Sequence, residues 1–157
     1  MTRALWISML ALAGCAQSDE DIANDLFEEV QGWEDWTQIA PWEGYQVSSD
    51  GTHGSHVLIT FNDIAADAWG DEELPDGSIS VKKGYDAANG EQPRDFITIM
   101  KKIEGYDPER NDWFWLRVDD DGALGTAIGS DAFCYSCHTS GTDYLRTVTD
   151  LPGDAEE

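Results

Sequence analysis

The run Cys134-Tyr135-Ser136-Cys137-His138 constrains this chain more than any other stretch. Two thiols two residues apart can reach both vinyl groups of one porphyrin, and the adjoining imidazole is then held beneath the iron. In an exported chain the pattern reads as attachment of one haem c, covalent through Cys134 and Cys137, with His138 as metal ligand. A disulfide and half of a zinc site are the competing readings. A closed zinc site needs four ligands, and no second C-x-x-C is present. His53 and His56 would complete one only through a coincidence of folding.

Export is expected from the first residues. Met1 to Gly14 carries one positive charge, at Arg3, then the apolar run Ala4 to Ala13, and no acid. That is the pattern of a signal peptide, too short to span a bilayer as a mature helix. It ends Leu12-Ala13-Gly14-Cys15, similar to a bacterial lipobox in which the cysteine is acylated and becomes the new N-terminus. Ordinary cleavage, leaving Cys15 as a spare thiol, is the plainer alternative. Lipidation would account for every cysteine: one on lipid, two on haem. The expected organisation is a signal peptide over 1–14, an acylated tether over 15–25, a haem domain over 26–150 and an acidic tail over 151–157. The expected location is the bacterial periplasm or outer surface, with the membrane reached through the lipid anchor alone.

The formal charge of −23, one unit more negative without Arg3, excludes nucleic acid, whose binders need basic patches. A redox partner would have to present a basic face. Solubility in a salty habitat explains the same surface without any partner.

Hydrophobic spacing gives the element order. Ile22, Leu26, Phe27 and Val30 predict a helix over Asp21 to Gln31, stopped by Gly32. Trp33, Trp36 and Trp42 then either pack that helix on a sheet or line the haem edge. Strands are predicted over His56 to Asn62, Ser78 to Lys83, Phe96 to Ile103, Trp113 to Val118 and Ala123 to Ile128. A short helix after Asn62 runs to Trp69, and residues 86–95 read as a polar loop. Asp119-Asp120-Asp121-Gly122 is a hairpin turn rather than a calcium loop, because the remaining ligands are missing. Asp131 caps a short helix carrying the haem motif, and Asp143 to Val148 reads as a last helical turn. The fold class is α+β: a mainly antiparallel sheet with an N-terminal helix and a short C-terminal haem-binding helix.

Beyond His138 there is neither Met nor His. The distal candidates are Met100, His53 and His56, and Met100 sits in a strand pattern that suits core filling. The balance favours a five-coordinate iron with an open face.

Three further stretches resemble the cytochrome P-460 family, which includes the cytochromes c′-beta. These are Thr52-His53-Gly54-Ser55-His56-Val57 ahead of a strand ending at Asn62, Leu74-Pro75-Asp76-Gly77 leading into Val81-Lys82, and Lys102 to Trp113 ahead of the terminal C-x-x-C-H. The likeness covers roughly residues 40–146. It implies a mainly antiparallel β fold, commonly a homodimer, with a five-coordinate haem c. It implies one of two activities: hydroxylamine oxidation with a lysine joined to the porphyrin, or binding of nitric oxide or carbon monoxide in an apolar distal pocket. Lys82 matches the family's strand lysine, whereas alternation puts Lys83 on the face of Ile79 and Val81. Both stand as cofactor-binding candidates beside the plain reading of a solvated strand edge. Phe61 would close a c′-beta-like pocket or simply fill core. Arg117 shares alternation with Trp113 and Trp115, so it either meets a haem propionate or caps the sheet. The acids Asp119, Asp120, Asp121 and Asp131 are weak candidates for a base. The functional expectation is a cytochrome that binds or oxidises a small nitrogen ligand. The alternative is a periplasmic electron-transfer cytochrome c.

Overall fold

A computed structural model describes residues 17–48, 51–70 and 72–149, side chains 148 and 149 excepted. The predicted signal peptide, Cys15 and the acidic tail lie outside them. Six strands form one antiparallel meander in chain order: β1 (Gln46–Val47), β2 (His56–Phe61), β3 (Ile79–Tyr85), β4 (Pro93–Lys102), β5 (Trp113–Asp119) and β6 (Leu124–Gly129). Four α-helices accompany it among the described residues: α1 (Asp19–Glu29), α2 (Asp63–Asp67), α3 (Ala132–His138) and α4 (Arg146–Thr149). The α+β architecture is as expected. No helix among the described residues is long and apolar enough to cross a membrane.

Helix α1 begins earlier than its apolar spacing suggests. Ser18 caps it, its hydroxyl accepting from the Asp21 backbone N–H at 3.2 Å, and Asp19, Glu20 and Asp21 occupy the positive end of the helix dipole. Residues 19–25, expected as part of a tether, are therefore helical. Ala23, Leu26 and Val30 are buried on one stripe, and deleting a buried leucine side chain such as that of Leu26 would cost about 2–5 kcal/mol.

The sheet is buried on both faces, and that governs the rest. On one face, α1 packs against Leu58, Ile79, Val81, Ile97, Ile99, Phe114, Leu116 and Val118. On the other, Val57, Ile59, Phe61, Met100, Trp113 and Trp115 form a second core with Trp42, Leu74 and Leu145, and Cys134, Tyr135 and Tyr144 pack against it. Trp33 and Trp36 belong to the first core and Trp42 to the second, so the tryptophans divide between the two roles considered for them. Strand β4 starts at Pro93, inside the predicted loop; Pro93 opposes Tyr85 in the ladder, at a strand start where a missing N–H is tolerated. The two-residue β1 has no alternation to reveal it. The final helix starts three residues late because Asp143 and Tyr144 have left-handed backbones, φ 47° and 61°.

Candidate haem site

Helix α3 starts at Asp131, whose Oδ1 accepts from the backbone N–H groups of Phe133 at 3.0 Å and Cys134 at 3.1 Å. This cap holds the C-x-x-C-H run at the mouth of a cavity of about 430 Å³, lined by Cys134, Cys137 and His138 together. That volume is in the range of small-molecule and cofactor sites. Burial, then the charge of Asp131, pushes the Cys134 thiol up to about 12. Cys134 is therefore a neutral thiol at physiological pH.

His138 Nδ1 lies 2.9 Å from the carbonyl oxygen of Tyr144. A carbonyl only accepts, so Nδ1 carries the proton and Nε2 is the nitrogen with the lone pair that a metal requires. The Trp115 ring meets the imidazole edge-on, centroids 4.9 Å apart.

The register sets the opposite wall. Ile59 pairs with Lys82, Lys82 with Thr98 and Thr98 with Arg117, and all four line the cavity. Neighbouring rows add Ser80, Met100 and Trp115. His53 lines it as well, its backbone lying so close to β3 that a Cβ at Gly84 would stand 1.5 Å from the His53 carbonyl oxygen. A glycine inside a strand commonly marks such a close approach.

Charge is distributed unevenly. Of nine Lys and Arg residues in the chain, Lys82, Arg94, Arg117 and Arg146 line this cavity, and no Asp or Glu does among the described residues. Arg94 donates to Asp86 at 2.9 Å, and the Arg117 guanidinium stacks 3.9 Å from the Phe96 ring centre. Arg117 Nε and Trp115 Nε1 are buried with no hydrogen-bond partner among the described residues. Buried unpartnered donors cost about 1–3 kcal/mol each, and both side chains line the cavity. A macrocycle with an apolar body and carboxylate tails fits that lining.

Of the residues expected at the site, Cys134, Cys137, His138, Lys82 and Arg117 converge. Lys83 does not. It is on the α1 face, 94 % buried, with Nζ 2.6 Å from Asp120 Oδ2; the apolar face of Ile79 and Val81 is the one that α1 covers. Phe61 is on the cavity side of the sheet but packs against Trp69, centroids 5.0 Å apart, and is not among the lining residues. His56, at the start of β2, meets Ser55 instead, Nδ1 to Oγ 3.0 Å, whereas Met100 and His53 both reach the cavity. Asp119, Asp120, Asp121 and Asp131 do not line it. Arg94, Arg146 and Gly84 were missed by sequence reasoning. Only the interior glycine in β3 offered a signal.

The model of one protein family, Cytochrome P460, matches residues 30–147. No curated protein matches the chain.

Proposed function

Because the chain belongs to the cytochrome P460 family and is thereby a haem-binding cytochrome, we propose that it holds one haem c covalently and uses it to bind or oxidise a small nitrogen ligand, hydroxylamine or nitric oxide. The observation that carries this is the meeting of Cys134, Cys137 and His138 at a cavity lined by four basic side chains and, among the described residues, no acid. Cys134 and Cys137 would hold the group through thioethers, each S–H adding across a vinyl so that no atom is lost. His138 Nε2 would ligate the iron, and Arg117 with its unpartnered Nε would pair a propionate. The bound group supplies an open coordination position and a one-electron couple.

The residues around that position bear on which reaction is run. Oxidising hydroxylamine requires a group to accept its protons. His53, with Nδ1 3.4 Å from Thr98 Oγ1, is the cavity-lining imidazole besides His138. It is the side chain to which this reading assigns proton transfer. We also infer export and anchoring through an acylated Cys15, on the sequence pattern of residues 1–15.

Expression in a host competent for cytochrome maturation tests the proposal. The protein should gain the mass of one haem, give a pyridine haemochrome, and in the ferrous state take up carbon monoxide or nitric oxide without displacing a side chain. Colourless protein would end it. One observation favours the electron-carrier alternative: Met100 lines the cavity and would serve as a sixth ligand, giving a low-spin protein inert to both gases.

A further inference from the structure

Resting on that haem reading, we propose that Asp143 is a positioning residue for the axial imidazole: it pins the turn whose carbonyl oxygen holds His138 Nδ1. The carboxylate is almost fully enclosed, its side chain 1 % exposed. Oδ2 accepts from the Leu74 backbone N–H at 2.8 Å and from Lys102 Nζ at 3.0 Å. Oδ1 accepts from Asn111 Nδ2 at 2.9 Å and Trp113 Nε1 at 3.2 Å. Both oxygens are thus doubly satisfied. Their donors come from the loop after α2, the end of β4, the β4–β5 turn and the start of β5, all of which the sheet holds fixed.

Asp143 and Tyr144 both adopt left-handed backbones, which cost a non-glycine residue stability and persist only where the surroundings over-determine them. Here the surroundings are visible. Asp143 is tied by four donors, Tyr144 stands edge-on to Trp115 with centroids 6.4 Å apart, and Leu145 N–H closes the turn on the Thr142 carbonyl at 2.8 Å. The turn so held presents the Tyr144 carbonyl to the imidazole at 2.9 Å. A donor bond from the far nitrogen fixes a ligating histidine's rotation and raises its basicity. The buried Asp143–Lys102 pair, far from the cavity in sequence, thereby acts on the strength of the iron–histidine bond.

The test compares holoprotein carrying Asp143→Asn with wild type. The isosteric amide keeps an acceptor for Asn111 and Trp113 but turns N–H groups toward Lys102 and Leu74, so the turn must shift. Two readouts are expected to move: the iron–histidine stretching band of the ferrous protein to lower frequency, and the midpoint potential upward, because a less basic imidazole stabilises the ferric state less. Should that variant fail to fold, Asn111→Ala, which removes one of the four donors from an exposed residue, should move both in the same direction by less. Glu73→Gln, which alters only the exposed partner of Lys102, should move neither. Haem bound with both readouts unchanged in whichever variant folds overturns the role of Asp143 and leaves the haem reading intact. Protein without haem in the wild type overturns the haem reading itself.

Discussion

Lys82 and Lys83 are consecutive in β3 and lie on opposite faces of the sheet: Lys82 lines the cavity with Thr98 and Arg117, while Lys83 reaches Asp120 on the side covered by α1. Substituting each should therefore have separate consequences. Lys83→Ala should leave the absorption spectrum of the holoprotein unchanged and cost about 1 kcal/mol, since its partner is more than half exposed. That is roughly 3 °C in Tm for a chain of this size. Lys82→Ala should change the spectrum, and if a lysine is joined to the porphyrin, peptide mass mapping should find the bond at Lys82. A spectral change confined to the Lys83 variant would refute the assignment.

Gly84 gives the second prediction. Its Cβ position is occupied by the His53 carbonyl, so Gly84→Ala must displace the segment carrying His53 or bend β3. Because β3 is central in the sheet, the segment should yield. The expected result is a cavity opened beside His53: faster carbon monoxide association to the ferrous protein, with far-ultraviolet circular dichroism unchanged. Association at the wild-type rate would show that His53 does not guard the entrance.

Much of this arrangement is legible in the sequence, and each part that is not has a physical reason. Alternation located β2, β3 and β5, and the Asp131 cap and C-x-x-C-H spacing located α3 and its chemistry. Alternation left Lys82 and Lys83 both open, because it groups Lys83 with the apolar pair Ile79 and Val81 while the family likeness points to Lys82. In a sheet buried on one side, apolar residues mark the core, but β3 is buried on both. Its cavity side then shows Ser80 and Lys82, which read as solvent-facing until a cofactor is allowed for. Arg146, Arg94 and the Asp143 knot depend on contacts across tens of residues, and local pattern carries no trace of them. The turn at Asp143 and Tyr144 was read as helix because two non-glycine residues seldom adopt left-handed backbones together.

Tyr85 predicts a pH dependence. Burial is the chief cause, with neighbouring Tyr45 second, of a phenol pushed from 10.0 up to about 12. A group whose pKa is higher folded than unfolded contributes stability that is complete below the unfolded value and lost as pH climbs toward the folded one. Stability should thus fall between about pH 10 and 12, by at most about 1.4 kcal/mol per unit from this group. Tyr85→Phe should flatten that part of the profile, measured as urea midpoints at pH 9 and pH 11. An equal slope in both proteins would mean the phenol ionises as readily when folded as when unfolded.

Arg117 and Lys101 make a matched pair for testing what cavity charge does. Both are single cations, but Arg117 lines the cavity and Lys101 pairs with Glu29 of α1. A positive charge beside the iron disfavours the ferric state. Arg117→Met should therefore lower the midpoint potential, and Lys101→Met, with the same change in net charge, should leave it in place. Redox titrations at low and high salt separate the two, because screening weakens distant charges more than a buried neighbour. Equal shifts in both variants would show that net charge alone tunes the couple.

Met100 separates the two functional readings. It is 8 % exposed, paired with Ser80 and Trp115 across the sheet, and bordered by the cavity. If its thioether only fills space, Met100→Ala should cost about 2 kcal/mol of stability, at the low end for a truncated core methionine because one side of the residue already faces the cavity. The ferrous spectrum should keep its high-spin form, and carbon monoxide should bind at nearly the wild-type affinity. If the thioether instead occupies the sixth position, the wild type should be low-spin and refuse carbon monoxide, and the alanine variant should turn high-spin and accept it. Absorption spectra of the two reduced proteins, with and without the gas, decide between a ligand-binding cytochrome and an electron carrier.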